Sequence, residues 1–569
     1  MTVADYIAAF LEAQGVTHVF TLAGGMIAPM LDALHLRGGL APNPAGRAPL
    51  IIPCRHEQAA GFAAEGMARM TGIPGVAMAT SGPGATNLLT AIASCYFDST
   101  PCVFITGQVP LHEMRRGGER QRGFQETDIV AMARPATKRA YQITDPRQIP
   151  MAIRDAFGEA IEGRPGPVLL DIPFNVQRAS AEGFLKIEGA IGVIRPDPKI
   201  DLAPIFSSLR GAKRPLVLVG GGAASFHNRA SVRKLLDYLS LPVVHSLLGK
   251  DVFPHYRSIG MIGSYGNRWA NKALAECDFL LVLGSRLDIR QIGSKPQEAM
   301  AGKVLWHVDV DPSETGKDWV PVGYRPIACD LRDFCRAVID SPHPVILDQD
   351  PAPWLRTIAG WQADWPAESE LQVPEGAIHP LKFLASLGEA AIQANASAIV
   401  TDVGSHQMWA AQCMPVSPSM RFITSGGHGA MGFGLPAAIG VALADPSRPV
   451  VLVTGDASLM VNVQELATLQ ELNLPVKIVV MDNGGHGMVR EFQDRLFEGR
   501  HAATEQAGAD LVEVARAFGL SSSRAARAPL GWMFRAERPC LLHVPIDPRT
   551  PVAPRLPYGG RLDAMDPPR

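Results

Sequence analysis

The chain repeats one pattern: a strand-length apolar run, a glycine-rich turn, and a helix-length segment with apolar residues on one face. The apolar runs lie at 17–20, 50–53, 75–80, 102–106, 167–172, 215–219, 279–283, 304–310, 398–401, 421–424, 450–454, 476–481 and 539–544. Strands that alternate with helices form parallel sheets covered by helices on both faces. The pattern therefore predicts an α/β fold with three doubly wound parallel sheets.

The runs fall into three blocks, each long enough to bury its own core. A chain of 569 residues is expected to hold about three or four domains of roughly 100–200 residues. The predicted boundaries are 1–180 for an N-terminal domain, 191–340 for a central domain, 375–548 for a C-terminal domain and 549–569 for a surface tail. Proline-containing segments typical of linkers lie at 192–198 and 340–354.

Composition narrows the class of protein. With 53 Lys and Arg against 55 Asp and Glu, the chain has no basic excess to neutralise a nucleic acid. No apolar run approaches the roughly 18 residues that span a bilayer, and no basic leader precedes the amphipathic start at Val3. The eight cysteines form no CxxC pair, which indicates reduced thiols rather than a zinc or disulfide framework. These features predict a cytoplasmic protein without nucleic-acid or membrane partners.

Two polar residues follow neighbouring strands of the third block. Asp456 comes after the run 450–454, and Asn483, 27 residues further on, comes after the run 476–481. That spacing leaves room for one crossover helix, predicted at 463–471, so both side chains are expected at the carboxyl edge of the sheet. A carboxylate and a carboxamide beside a glycine-rich turn offer oxygen ligands to a Mg²⁺ ion that binds a diphosphate. The competing interpretation is two ordinary turn residues, and spacing alone favours neither.

A glycine-rich segment, Gly427-His-Gly-Ala-Met-Gly432, has the pattern G-x-G-x-x-G between an apolar run and a helix. Because Asp456 follows 24 residues after Gly432, the segment also imitates the fingerprint of a nicotinamide-dependent dehydrogenase. Close glycines at the start of a helix suit any diphosphate, so this motif leaves both hypotheses open.

Glu57 begins an Ala- and Gly-rich helix predicted at 57–70. Its carboxylate either satisfies backbone donors at the helix start or, in an apolar cleft, exchanges protons near neutrality. A zinc protease is not indicated, since the HExxH pattern that begins at His56 lacks its second histidine. The segment Ser81-Gly-Pro-Gly-Ala-Thr-Asn87 opens another helix with free amides, but it lacks the ending of a P-loop.

Four arginines cluster in a glycine-containing segment just before Phe124, Gln125 and Glu126. They are Arg115, Arg116, Arg120 and Arg122. A solvated basic loop is the commoner interpretation of such a cluster. The alternative is that the loop attracts an anionic substrate.

Taken together, these motifs resemble the thiamine diphosphate enzymes, and among them the large catalytic subunits of acetolactate synthases. The resemblance covers essentially the whole chain and rests on segments at 55–58, 81–87, 106–110, 124–126, 163–173, 407–412, 425–436, 455–458 and 487–489. It implies that the chain uses thiamine diphosphate to decarboxylate pyruvate and add the two-carbon unit to a second 2-keto acid. It also implies a homodimer or homotetramer with active sites between chains, and it allows for a separate regulatory subunit.

The resemblance assigns roles to individual residues. Glu57 matches the carboxylate that hydrogen-bonds the aminopyrimidine ring of the cofactor, and Met431 matches the apolar residue beneath its bend. Gly25, Phe124, Gln125 and His406 match positions around the reacting centre. Asp456, Asn483 and the backbone carbonyl of Gly485 match the Mg²⁺ ligands. Further positions in cofactor-binding segments are Ser81, Asn87, Val403, Gly404, Gly429, Gly455, Ala457, Ser458, His486, Gly487 and Met488.

The central block resembles the FAD-binding domain of the same enzymes. The resemblance implies a bound FAD that takes no net part in the reaction. The matching positions are Gly220, Gly221, Gly249, Gly284, Arg286, Arg290, Asp309 and Asp330.

The chain departs from the pattern of the biosynthetic acetohydroxyacid synthases where the acceptor is chosen. Phe492 stands where they usually have tryptophan, and Met26 replaces a small residue. Ser405 replaces glutamine before His406, and the loop that carries Arg115 and Arg122 is longer than usual. Met26, Phe492, Arg115 and Arg122 are therefore the predicted substrate-binding residues. They leave open a related carboligase for a bulkier or anionic acceptor, such as a nucleotide-linked keto-sugar.

Overall fold

The computed structural model describes residues 1–38, 49–187, 189–192, 199–253, 257–343, 345, 347–506, 508–525, 530–536 and 538–569. These residues form three six-stranded sheets, and adjacent strands within each sheet run parallel. Helices flank all three sheets. The predicted fold class is therefore confirmed, whereas the domain boundaries stay predictions. Of the predicted linker at 192–198, positions 193–198 lie outside the described residues.

The first sheet has the strand order β2-β1-β3-β4-β6-β5. Its strands are β1 (His18–Thr21), β2 (Leu50–Pro53), β3 (Gly75–Ala79), β4 (Cys102–Gln108), β5 (Arg139–Gln142) and β6 (Pro167–Pro173). The accompanying helices are α1 (Val3–Ala13), α2 (Ala28–Arg37), α3 (Glu57–Thr71), α4 (Pro83–Asn87), α5 (Leu89–Phe97), α6 (Ile129–Ala133), α7 (Ile149–Ile161) and α8 (Phe174–Gln177).

The second sheet has the order β12-β11-β10-β7-β8-β9, which is the 3-2-1-4-5-6 order of dinucleotide-binding sheets. Its strands are β7 (Pro215–Val219), β8 (Val243–His245), β9 (Ser258–Met261), β10 (Phe279–Leu283), β11 (Val304–Asp309) and β12 (Tyr324–Ala328). The helices of this part are α9 (Ala203–Arg210), α10 (Gly221–Ala224), α11 (Arg229–Leu239), α12 (Arg268–Glu276), α13 (Ile289–Ile292), α14 (Pro296–Met300), α15 (Pro312–Thr315), α16 (Leu331–Ile339) and α17 (Ala352–Asp364).

The third sheet, β14-β13-β15-β16-β18-β17, repeats the topology of the first. Its strands are β13 (Ala398–Thr401), β14 (Arg421–Thr424), β15 (Val450–Gly455), β16 (Val476–Asp482), β17 (Ser521–Arg524) and β18 (Cys540–Pro545). Its helices are α18 (Pro380–Gln393), α19 (Ser405–Cys413), α20 (Gly434–Ala444), α21 (Asp456–Val461), α22 (Glu465–Glu471), α23 (Gly487–Leu496), α24 (Leu511–Ala517) and α25 (Leu530–Arg535). The crossover helix predicted at 463–471 is confirmed as α22, and the shorter α21 precedes it in the same connection.

The first and third sheets share one apolar core. The helices α3 and α20 pack so closely that a side-chain carbon at Gly440 would clash with the backbone of Ala63. Phe62 of α3 meets Phe433, the residue before α20, edge to face with ring centroids 5.4 Å apart. Close backbone approach of this kind locks the two sheets together and fixes the start of α3, where Glu57 lies.

The tail 549–569 contains neither helix nor strand, but it is anchored. Leu562 and Met565 are buried, and Arg268 donates a hydrogen bond to the carbonyl of Met565 at 3.1 Å.

The eight cysteines are all unpaired, and seven of them are buried. Among the described residues, none of the helices combines the length and apolar character that crossing a bilayer requires.

Candidate functional site

Asp456 and Asn483 meet at the carboxyl edge of the third sheet. Gly455 lies opposite Met481 in the register of β15 and β16, so the two strands end side by side. Asp456 is only 8% exposed, and its Oδ1 atom has no hydrogen-bond partner among the described residues. Burial raises the pKa of the Asp456 carboxyl, and the nearby Asp482 carboxylate adds to this effect. A buried carboxylate oxygen without a partner, beside a carboxamide, fits a site for a hard divalent cation.

Arg490 supports the turn that carries Asn483. This buried residue of α23 donates hydrogen bonds to the carbonyls of Asn483 at 3.2 Å, Gly484 at 3.1 Å and Pro548 at 2.9 Å. Gly485, the third predicted ligand, follows in the same turn, and its carbonyl accepts from the backbone of Gly487 at 3.2 Å. Sequence analysis missed Arg490, because its partners are backbone atoms from two separate segments.

Asp402, directly after β13, fixes the turn that carries Met431. Its Oδ1 atom accepts hydrogen bonds from the backbone of Val403 at 2.8 Å and Gly432 at 3.0 Å, and Oδ2 accepts from Gly434 at 2.7 Å. Burial raises the pKa of Asp402 to about 6, although these hydrogen bonds oppose the shift. Sequence analysis missed this residue as well, although an acidic residue directly after a buried strand was a signal for it.

His406 is buried beside the same edge, and its ring lies against Gly404 and Gly455. It is 4% exposed, and burial lowers its pKa to about 3, so the imidazole is neutral across the physiological range. Its Nε2 atom has no hydrogen-bond partner among the described residues. Ser458, at the neighbouring strand end, donates to the carbonyl of Val403 at 2.9 Å. The edge therefore presents a neutral ring nitrogen and a carboxylate oxygen to a ligand.

The glycine segment at 427–432 lacks the architecture of a dehydrogenase fingerprint. The backbone amides of Gly426 and Gly427 donate to the Asp98 carboxylate at 2.9 and 2.5 Å. Asp98 also forms an ion pair with Arg69 at 2.9 Å. In addition, β14 is an edge strand, whereas a dinucleotide fingerprint follows a central strand. The Asp98 carboxylate therefore already accepts the hydrogen bonds that the first backbone amides of this segment would donate to a diphosphate. The glycine pattern no longer supports the dehydrogenase hypothesis.

Glu57 is buried at the start of α3. Its Oε2 atom accepts a hydrogen bond from the Asn87 side chain at 2.9 Å, and Oε1 faces Gly84. The helix cap is supplied by His56, whose ring accepts from the backbone of Gln58 at 3.1 Å. Because His56 already caps the helix, a capping role does not explain the buried Glu57 carboxylate. Ser81, in the same turn region, has a buried hydroxyl without a partner among the described residues.

Of the other residues predicted around the reacting centre or the substrate, Gly25, Met26, Phe124 and Gln125 belong to the part of the chain that forms the first sheet, whereas Phe492 lies beside the third sheet. Met26 is held by Thr80, whose hydroxyl accepts from its amide at 3.1 Å, and by Gln177, which donates to its carbonyl at 2.7 Å. Gln125 packs on the turn that begins at Ser81, and the adjacent Phe124 is 83% exposed. Gly25 has open space around its α-carbon, and Phe492 on α23 is 46% exposed.

A cavity of about 550 Å³ opens where the order of the second sheet reverses, between β7 and β10. That switch point is where α/β sheets bind ligands. The predicted FAD positions among its lining residues are Gly221, Gly284, Arg286, Arg290, Asp309 and Asp330. Gly220 and Gly249 lie just behind the wall, where any side chain would strike the backbone of Gly284 and Val219, respectively.

Charged groups of the cavity are partly engaged with the protein itself. Arg286 pairs with Asp288 at 3.2 Å, and Asp330 caps α16 by accepting from the amide of Arg332 at 2.9 Å. Asp309 accepts from the amide of Asp311 at 3.0 Å, and burial raises its pKa. The first and third domains complete the wall through residues such as Arg164 and His428. The glycine turns and the size of the cavity fit a dinucleotide.

Comparison with known proteins gives matches along the chain. Residues 1–132 match the N-terminal TPP binding domain of thiamine pyrophosphate enzymes, residues 202–338 their central domain, and residues 402–544 their C-terminal TPP binding domain. Acetolactate synthase isozyme 1 large subunit of Escherichia coli is 39% identical over 99% of this chain and 97% of its own length. Acetolactate synthase isozyme 2 large subunit of the same bacterium is 36% identical over 99% of both chains. Acetolactate synthase 2, chloroplastic, of Nicotiana tabacum is 36% identical over 98% of this chain and 84% of its own.

Proposed function

This chain belongs to the thiamine pyrophosphate enzymes, and we propose that the residues gathered above carry out the reaction of an acetolactate synthase. It is a thiamine diphosphate-dependent carboligase that decarboxylates pyruvate and adds the two-carbon unit to a second 2-keto acid. One observation carries the assignment of the site: the buried Oδ1 atom of Asp456, which has no hydrogen-bond partner among the described residues, beside Asn483 at the sheet edge where a Mg²⁺ ion would bind the diphosphate of the cofactor.

When bound, thiamine diphosphate supplies the nucleophilic carbon and the electron sink of the reaction. The chain contributes position and proton control. Glu57 would hydrogen-bond the aminopyrimidine ring and exchange a proton with it, and Asn87 orients the Glu57 carboxylate. Asp402 fixes the turn of Met431, whose side chain would support the bound cofactor. Asp456, Asn483 and the Gly485 carbonyl would hold Mg²⁺, and the neutral His406 would offer Nε2 to the substrate.

The function is tested by incubating the protein with pyruvate, thiamine diphosphate, Mg²⁺ and FAD and identifying the product by mass spectrometry. Acetolactate with release of CO₂ is expected. A protein that releases no CO₂ from pyruvate under these conditions would contradict the assignment. A reaction in which CO₂ is released without acetolactate would favour the specialised acceptor instead.

Two exposed phenylalanine side chains support an active site that lies between two chains, because a second chain could bury them. Phe124 and Phe492 are large apolar residues left exposed in the single chain, and both match positions near the reacting centre. The Glu57 carboxylate contacts Asn87 and Gly84, which belong to its own N-terminal part. We infer a homodimer or homotetramer with shared sites. Since the two Escherichia coli relatives are named large subunits, a separate regulatory subunit is a further proposed partner.

Arg490 provides a prediction about the metal site. Replacing Arg490 with methionine is expected to raise the Mg²⁺ concentration for half-saturation by about 10- to 100-fold, since it removes the hydrogen bonds that hold the Asn483 turn. The measurement is a Mg²⁺ titration of cofactor binding, followed by protein fluorescence. Arg490→Lys should recover part of the affinity. The matched control is Arg495→Met on the same helix, and equal Mg²⁺ requirements in the two methionine variants would contradict the proposed role.

The central cavity provides a second prediction. The purified protein is expected to be yellow and to release FAD on heating, and Gly220→Ala is expected to reduce the FAD content at least about tenfold. The reason is that the added methyl group would strike the Gly284 carbonyl and the Ser285 backbone at the switch point. Gly211→Ala is the control, because its added methyl group meets no atom within 4 Å. Colourless protein that binds no added FAD would contradict this assignment.

A further inference from the structure

The segment 115–122, termed the arginine loop, is held at both ends by one carboxylate. Glu126 accepts the backbone amide of Arg115 on Oε1 and that of Arg122 on Oε2, each at 2.7 Å. Its own carbonyl accepts from the Gln121 side chain at 3.0 Å. Burial acts to raise the pKa of Glu126, but the backbone donors outweigh it and hold the pKa below its usual range. The loop is therefore closed by an ionised carboxylate.

The arginine side chains are left largely unpaired by this arrangement. The formal charges of 113–128 cancel, but the carboxylates of Glu126 and Glu119 are directed at backbone amides of the loop. Arg115 pairs with Asp128 at 3.1 Å. Within the described part of the chain, the exposed guanidinium groups of Arg116, Arg120 and Arg122 have no hydrogen-bond or ion-pair partner. Three cationic donors thus stand on a loop whose backbone is fixed.

The loop is also tied to the proposed reacting centre. Gln125, next to Glu126, adopts a left-handed conformation with a φ of 63° and packs against Gly82. Gly82 begins the turn that leads into α4, and Asn87 at the end of α4 donates to Glu57. Behind the loop, Gln108 donates to the carbonyl of Thr127 at 2.7 Å. Only a few fixed contacts separate the arginine loop from Glu57.

We propose that the arginine loop binds a second anionic group of the acceptor, remote from its reacting carbonyl. This inference rests on the proposed function and adds a substrate class to it: acceptors that end in a carboxylate or a phosphate. Guanidinium groups bind both anions through paired hydrogen bonds. In the reaction, the C1–C2 bond of pyruvate breaks and CO₂ leaves. The former C2 atom bonds to the acceptor carbonyl carbon, whose oxygen takes up a proton.

The test compares pairs of acceptors that differ in the remote charge, with the holoenzyme and pyruvate as the donor. One pair is 2-oxoglutarate and 2-oxohexanoate, and the other is glyceraldehyde 3-phosphate and glyceraldehyde. Products are quantified by mass spectrometry as kcat/KM for each acceptor. The anionic member of at least one pair is expected to be preferred about tenfold or more, and the preferred pair distinguishes carboxylate from phosphate recognition. Because exposed charges are screened, added salt should shrink the preference.

In the triple variant Arg116→Gln/Arg120→Gln/Arg122→Gln, kcat/KM for the anionic acceptor divided by kcat/KM for its neutral counterpart is expected to fall close to one. Its substitutions leave the backbone amides that Glu126 holds in place. The matched control is Arg147→Gln, an exposed arginine of the same domain that pairs with Asp145 and should leave the preference unchanged. Acetolactate formation without a preference in either pair, or a triple variant that keeps the preference, would overturn this inference alone. Failure to decarboxylate pyruvate would overturn the proposed function and this inference together.

Discussion

Glu57→Gln is expected to lower turnover by about 100-fold or more while thiamine diphosphate still binds. Glutamine keeps the shape of the side chain, and its amide oxygen can still accept the hydrogen bond that Asn87 donates to Glu57 at 2.9 Å. It cannot hold or move a proton against the aminopyrimidine ring. The direct measurements are the rate of CO₂ release, the exchange of the C2 hydrogen of the bound cofactor by NMR, and the cofactor affinity.

The same variant separates the two interpretations of a carboxylate at the start of a helix. Because the His56 ring caps α3, Glu57→Gln should lower the free energy of unfolding by no more than about 1 kcal/mol. Glu182→Gln, an exposed position in the same domain, serves as the control for both activity and stability. If turnover stays near normal and stability falls instead, Glu57 is a structural helix-start residue and the catalytic assignment is wrong.

The central strands of each sheet could be predicted from the sequence because they are apolar on both faces. Runs such as 279–283 and 398–401 coincide with β10 and β13. The edge strands β5, β9, β12 and β17 were missed, since their residues are partly exposed or polar, as in the Ser-Ser-Ser-Arg of β17. The buried β8 was missed as well, because its three residues are too few to form a recognisable run. The order of the strands in each sheet could not be predicted from the hydrophobic pattern either. Periodicity indicates which residues are buried, but not which strands become neighbours.

The candidate site was predictable where a chemical group follows a strand. Asp456 and Asn483 were found in this way, and the register of β15 and β16 brings them to one edge. The supporting residues Asp402 and Arg490 were missed, because each acts on backbone atoms of other segments. Such partners are set by the folded topology, so no local motif records them.

The glycine-rich segment shows that a sequence motif can also be present without the binding site that it predicts. The G-x-G-x-x-G spacing is present at 427–432, but Asp98, more than 300 residues earlier, occupies the first amides. The 3-2-1-4-5-6 order instead belongs to the second sheet, whose glycines at 220 and 284 meet across the switch point. A motif therefore identifies a tight turn, whereas strand order decides what the turn can bind.

Asp456→Ala is expected to raise the Mg²⁺ requirement by about 100-fold or more and to weaken thiamine diphosphate binding in parallel. The variant removes the one carboxylate at this edge whose buried oxygen has no partner among the described residues. Burial and Asp482 both raise the pKa of Asp456, so the charged form is unfavourable without a cation. The metal-free variant should therefore be at least as stable to heat as the parent protein. Asp445→Ala, at a surface pair with Arg448, is the control. Unchanged cofactor affinity, or a large loss of stability in the metal-free protein, would remove Asp456 from the metal site.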